Sequence, residues 1–139
     1  MDRRAFLATG GALVAGLSGC LALGEDDGEY DIGMSDSRFL PTEYRVDLGT
    51  TVVWKNTSAR AHTVTAYDAT LPDGGAYFAS GDYDSEQAAR EGWFESGGGA
   101  IYAGETYTHT FEQLGTYPYV CLPHEADGMA GTIVVEDPE

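Results

Sequence analysis

Residues Tyr117–Val135 read Y-P-Y-V-C-L-P-H-E-A-D-G-M-A-G-T-I-V-V. An alternating aromatic run leads in, a β-branched run leads out, and the loop between them carries Cys121, His124 and Met129 with the spacing C-x₂-H-x₄-M. A thiolate, an imidazole and a thioether from a single turn form a soft ligand set of the kind that selects copper. A fourth ligand has to come from elsewhere. His62, in A-R-A-H-T-V-T-A-Y, has a turn before it and an alternating run after it, and is the candidate. His109 lies within a different alternating run and is expected to be packed or half-exposed, not a ligand.

Each residue has a plainer reading. A lone cysteine is often a buried hydrophobe, a lone histidine a surface group, a lone methionine core filling. None of these accounts for the three together on one loop between two strands. Zinc competes for Cys/His sites, but structural zinc sites use four Cys or His ligands, often in paired short spacings. A thioether in the set argues against zinc. Two imidazoles and a thiolate with a weak axial methionine describe a blue-copper electron-transfer site.

Outward from the loop, the chain reads as short strands broken by turn residues. Strands are expected at Tyr30–Met34, Tyr44–Leu48, Thr50–Asn56, His62–Tyr67, Glu105–Phe111, Gly115–Cys121 and Met129–Glu136, with Phe39–Pro41 as an extended corner. T-T-V-V-W-K-N is the clearest, being β-branched with a tryptophan. Pro118 cannot donate to a ladder and must face an edge or a bulge. Residues 68–104 form a long insert with Pro72 and many glycines. A short helix is expected there from Ser85 to Arg90 with Asp84 as its N-cap, and Trp93 and Phe94 are expected to pin the insert to the body. About seven to eight strands with one short helix make an all-β sandwich.

The N-terminal residues 1–19 read as an export signal: Arg3-Arg4 ahead of Phe6-Leu7, a Gly/Ala-rich apolar run too short for a comfortable span, then Leu17-Ser18-Gly19-Cys20. The last four residues resemble a lipobox, so Cys20 is expected to carry lipid. That would consume its thiol and leave Cys121 unpaired. A plain N-terminal transmembrane anchor is the alternative. Residues 20–29 are expected to be a lipidated acidic tether, and residues 30–139 the folded domain. The expected location is the cell membrane, lipid-anchored on the extracytoplasmic face.

The formal net charge is −16, from 23 acidic and 7 basic residues, with a single lysine, Lys55. No basic stripe exists to release counterions, so nucleic acid is not an expected partner. Acids spread along the whole chain suit high salt, where screening tolerates crowded carboxylates.

The loop and the strands before it resemble the small cupredoxins, and within them the plastocyanin-like halocyanins of halophilic archaea. Phe39, Pro41, Val46, Gly49, Val53 or Trp54, Asn56 and His62 follow that family's F-x-P…V-x-x-G…V-x-W/F-x-N…H pattern, and G-E-T-Y at 104–107 and G-T-Y-P-Y-V-C at 115–121 continue it. The resemblance covers roughly residues 30–137, and departs from the family at Pro118 and in the 68–104 insert. It implies a cupredoxin-like Greek-key sandwich holding one copper ion on His62, Cys121, His124 and Met129. It implies an electron carrier, expected to be monomeric, that serves redox partner proteins of a membrane electron-transport chain. It also implies docking through an apolar patch at His124, flanked here by Leu122, Pro123 and Ala126. Thr63 is placed to bridge toward the cysteine loop and Asn56 to brace the same loop, while Pro123 removes one possible N–H donor to the Cys121 sulfur.

Other classes fit less well. A copper oxidase or nitrite reductase needs further histidines for a second centre, and only His109 is left over, so no enzymatic activity is expected. A copper-binding or storage lipoprotein without redox turnover keeps the ligands but not the electron traffic. A structural or adhesive acidic lipoprotein keeps neither.

Overall fold

A computed structural model describes residues 29–138. The expected leader, the Cys20 lipidation site and the tether up to residue 28 lie outside the described residues.

Among the described residues, eight strands form two four-stranded sheets. They are β1 (Ile32–Met34), β2 (Phe39–Leu40), β3 (Glu43–Asp47), β4 (Thr51–Asn56), β5 (Thr65–Ala66), β6 (Thr106–Thr110), β7 (Gly115–Val120) and β8 (Ala130–Glu136), with one α-helix, α1 (Glu86–Ser96), between β5 and β6. The first sheet has the order β2-β1-β4-β6 and the second β3-β8-β7-β5. Two pairings are parallel, β1 with β4 and β3 with β8. The chain crosses between sheets after β2, β3, β4, β5 and β6, so each sheet is assembled from distant segments.

Alternation decides which side chains face inward. On β4 the buried residues are Val52, Trp54 and Asn56; on β8 they are Gly131, Ile133 and Val135. Trp54 is fully buried at the centre, with ring centroids 5.5 Å from Tyr107, 5.5 Å from Tyr119 and 6.2 Å from Phe78. Tyr119 meets Phe39 edge-on at 4.7 Å. Large side chains like these contribute roughly 1.5–3 kcal/mol each on full burial, and here they fasten the two sheets around one core. His109 is part of that packing, stacked on Phe78 at 4.8 Å. Pro118 sits opposite Thr132 of β8, while β5 ends at Ala66 opposite Tyr119. The proline therefore lies where the β5 side of the ladder has already finished.

Three expectations are corrected. The run His62–Tyr67 is regular strand only at Thr65–Ala66, and Thr63 and Thr65 are buried as fully as Val64. The reason is the insert. Its residues 78–80 line the free edge of β5, with Ala66 N–H donating to the Phe78 carbonyl (3.1 Å) and Ser80 N–H to the Val64 carbonyl (2.7 Å), and α1 packs against β5. This covers an edge that would otherwise offer unpaired backbone groups. Second, the helix starts and ends later than expected. Its N-cap is Ser85, not Asp84, because the Ser85 hydroxyl accepts from Ala88 N–H at 3.1 Å, and it runs on to Gly97, which closes it at φ 72°. Third, Phe94 does not pin the insert, being 69% exposed; Trp93 is half-buried, and the fully buried apolar residues of the insert are Phe78, Ala79, Ala89 and Ile101.

Candidate metal centre

At one end of the sandwich, segments distant in sequence converge. His62 follows the β4–β5 turn and is tied to the insert by a two-way bridge with Ile101: His62 N–H to the Ile101 carbonyl at 3.2 Å, Ile101 N–H to the His62 carbonyl at 2.7 Å. Cys121 ends β7. Leu122–Asp127 is a 3₁₀ segment with a kink at His124, and Gly128, at φ 82°, turns the chain back into β8. Cys121 N–H donates to the Met129 carbonyl at 2.9 Å, and Met129 N–H to the His124 carbonyl at 3.2 Å, which closes the loop. Met129 is fully buried.

The ligand atoms form a tight triangle. Cys121 Sγ is 3.5 Å from His62 Nδ1 and 3.5 Å from His124 Nδ1, and the two nitrogens are 3.1 Å apart. A point in the plane of that triangle lies roughly 2 Å from all three atoms, the length of a metal–imidazole bond. All three residues are buried, and they form the one such His/Cys/Asp/Glu group among the described residues. Two imidazole lone pairs 3.1 Å apart repel each other unless a proton or a cation lies between them. With Met129 the set has the composition and arrangement of a blue-copper site.

Burial sets the protonation of this cluster. It pulls the His62 pKa down to about 4, helped by the positive charge that His124 could carry and opposed by the Ser35 carbonyl. His124 is lowered as well, chiefly by burial. The Cys121 thiol is pushed up to about 11 by burial, against the N–H groups of Thr63 and His124. Without metal at pH 7 the cluster is thus a neutral thiol beside two neutral imidazoles. Copper loading is expected to release about one proton per ion at that pH, from Cys121. Titration with copper in weakly buffered solution measures it, and release near zero would mean the thiolate was already formed. Stability of the metal-free protein follows the same shifts. The folded His62 pKa is depressed, so stability is lost as pH falls from about 6.5 through 4. The folded Cys121 pKa is raised, so stability is lost as pH rises from 9.0 through about 11. Thermal melts of metal-free protein are expected to be highest between those flanks.

The supporting residues divide between the two arms of the site. Thr63 does reach the cysteine loop: its N–H donates to Cys121 Sγ at 3.4 Å and its hydroxyl accepts from Leu122 N–H at 2.9 Å. Asn56 does not, which corrects the expectation for it. Its amide nitrogen donates to the carbonyls of Arg60 (2.6 Å) and Ile101 (2.8 Å), and its oxygen accepts from the N–H and hydroxyl of Ser58, both at 2.8 Å. Asn56 braces the turn before His62. Ser58, absent from the residues singled out by sequence, has its hydroxyl 3.0 Å from His62 Nε2. A hydroxyl four residues before a candidate ligand histidine was the available signal. Beyond the triangle, Arg90 of α1 grips Glu125, next to His124, through two bonds of 2.8 and 3.1 Å. Pro123 is half-buried and Ala126 exposed, but Leu122 is only 5% exposed, so it adds little to an apolar surface patch.

A family description, "Copper binding proteins, plastocyanin/azurin family", matches residues 27–136. The chain is 34% identical over 105 residues to a halocyanin of Natronomonas pharaonis, covering 75% of this chain and 52% of that protein. It is 30% identical over 98 residues to a plastocyanin of Scenedesmus fuscus, covering 70% of this chain and 86% of that protein. Among solved structures, an oxidized point mutant of amicyanin superimposes with a TM-score of 0.57 at 26% identity, covering 81% of this chain and 87% of that one.

Proposed function

This chain belongs to the plastocyanin/azurin family of copper-binding proteins, and from that premise we propose that it is a membrane-anchored one-electron carrier whose copper would be held by His62, Cys121, His124 and Met129. The observation that carries this reading is the triangle of Sγ and two Nδ1 atoms at 3.5, 3.5 and 3.1 Å. Bound there, copper supplies a couple between Cu(I) and Cu(II). The protein's part is to hold one compromise geometry for both states, so that little moves when an electron arrives. Thr63 fixes the cysteine loop, and the Ile101 bridge fixes His62. His124, 5% exposed where His62, Cys121 and Met129 are fully buried, would be the ligand through which electrons pass to the surface.

Addition of Cu(II) to the metal-free protein is the test. Intense blue colour that a reductant bleaches and an oxidant restores supports the carrier. Copper bound at one equivalent without that colour or that cycle supports a storage protein instead.

Membrane attachment rests on the twin arginines and on Leu17-Ser18-Gly19-Cys20. A lipidated Cys20 would hold the domain on the extracytoplasmic face, where it would serve, as a monomer, redox partners of a membrane electron-transport chain. The acidic surface suits a high-salt medium. Retention of a Cys20→Ser variant in the membrane fraction would count against the lipid anchor.

Pro123 bears on the potential. At this position an N–H could donate toward Cys121 Sγ, and proline has none; Thr63 N–H donates at 3.4 Å. A further donor draws charge from the sulfur and favours the reduced centre. Pro123→Ala is therefore expected to raise the potential by tens of millivolts, on the order of one hydrogen bond for a one-electron couple. A redox titration that finds it unmoved or lower refutes this.

A further inference from the structure

We propose that Ser58, held by Asn56, is the positioning residue that fixes His62 as its Nε2–H tautomer, so that the Nδ1 lone pair faces the metal before any metal arrives. The inference rests on the ligand role of His62 given above. It follows from counting donors and acceptors.

Asn56 is 1% exposed, and both ends of its amide are fully hydrogen-bonded. Its two N–H groups go to the Arg60 and Ile101 carbonyls, so its oxygen must be the atom facing Ser58. That oxygen already accepts the Ser58 N–H at 2.8 Å and has a second lone pair directed at the Ser58 hydroxyl, also at 2.8 Å. The hydroxyl has one proton, and the Asn56 oxygen at 2.8 Å is a nearer acceptor for it than the Arg60 carbonyl at 3.3 Å. Given to Asn56, it leaves two lone pairs on Ser58 Oγ. One accepts from Arg60 N–H at 3.1 Å. The other faces His62 Nε2 at 3.0 Å and can only accept. The imidazole must then carry its proton on Nε2.

The opposite assignment fits worse. Were Nε2 bare, Ser58 would have to turn its proton from Asn56 to His62, and a buried amide oxygen would lose its second donor. The proton would also move to Nδ1, the atom that faces His124 Nδ1 and the sulfur and has to be bare to take a metal. A metal would then have to expel it from a ring already held the wrong way. Ser58 is half-buried on the wall of an open cavity of about 400 Å³, lined also by Ser35, Asp36, Arg38 and Thr57. A hydrogen bond from outside the ligand set that fixes ring orientation is commonly worth roughly a 10–100-fold change in metal affinity.

The test begins with the metal-free protein. Long-range ¹H–¹⁵N correlation spectra of ¹⁵N-labelled wild type at about pH 7.5, well above the depressed His62 pKa, are expected to show His62 wholly as the Nε2–H form. Ser58→Ala is expected to show a mixture of tautomers and about a 10-fold weaker affinity for copper, with Ser58→Thr restoring both. A wild-type spectrum with the proton on Nδ1 overturns the proposal, and needs no variant to fold. So does Ser58→Ala with an unmixed Nε2–H tautomer and unchanged affinity. Failure of wild type to turn blue with copper would instead strike the ligand assignment, leaving the tautomer result to stand by itself.

Discussion

Cys121→Ser is expected to abolish the intense visible absorption of the copper-loaded protein and to weaken copper binding by at least about a hundredfold. The bound comes from comparison: hydrogen-bond partners outside the ligand set are worth about 10–100-fold, and this change removes a ligand. The colour depends on charge passing from a thiolate to Cu(II), and a serine hydroxyl offers no such donor. Nor can it ionise here. The pocket already lifts a thiol to about 11 through burial, and an alcohol starts far higher. The fold should persist, since serine differs from cysteine by one atom and the Cys121 backbone keeps its bond to Met129. Equal far-ultraviolet dichroism of variant and wild type, with the visible band gone, is the expected pair of results. An undiminished blue band in the variant would place the copper elsewhere and end the assignment.

What residues alone could reveal depended on the range of the interactions. The sandwich was legible because alternation is local: Val52, Trp54 and Asn56 on β4 announce their inward face within one short strand. The loop ligands were legible for the same reason, since Cys121, His124 and Met129 share one turn. His62 was reachable because few histidines compete. The insert was not. Its helix buries only Ala89 among the described positions and carries no apolar stripe to count. Gly92 lies inside the helix, where a Cβ would collide with the Tyr83 hydroxyl. No pattern within residues 86–96 contains that fact. Asn56 was linked to the wrong loop because its partners depend on the path of the turn at 57–61 and on Ile101, 45 residues away. Arg90 gave no signal, its partner Glu125 lying 35 residues on.

Arg90→Glu is expected to loosen the ligand loop from the insert. Arg90 holds Glu125 with two parallel N–H···O bonds and is itself held by Glu86 at 2.9 Å, one helical turn back. Glu86 and Asp68 in turn exchange bonds between carboxylate and backbone N–H, both at 3.0 Å. The chain of contacts runs from the start of the insert to the residue beside His124. The Arg90 and Glu125 side chains are 28% and 39% exposed, so solvent screens the pair and removing it costs about 1 kcal/mol. Reversal adds repulsion among three neighbouring carboxylates, bringing the total to about 2 kcal/mol and lowering the melting temperature by roughly 5–10 °C. Because the loss is electrostatic, it should shrink as salt rises. If the clamp also stiffens the loop, copper should leave the variant faster and electron self-exchange should slow. The double variant Arg90→Glu with Glu125→Arg puts opposite charges back on the same two positions and is expected to recover most of the stability and the slow copper release. Should the single change leave melting temperature and copper release as in wild type at low salt, the insert lends the site no support through this pair. Should the double variant melt no higher than the single one, Arg90 acts through packing of its stem and not through its charge.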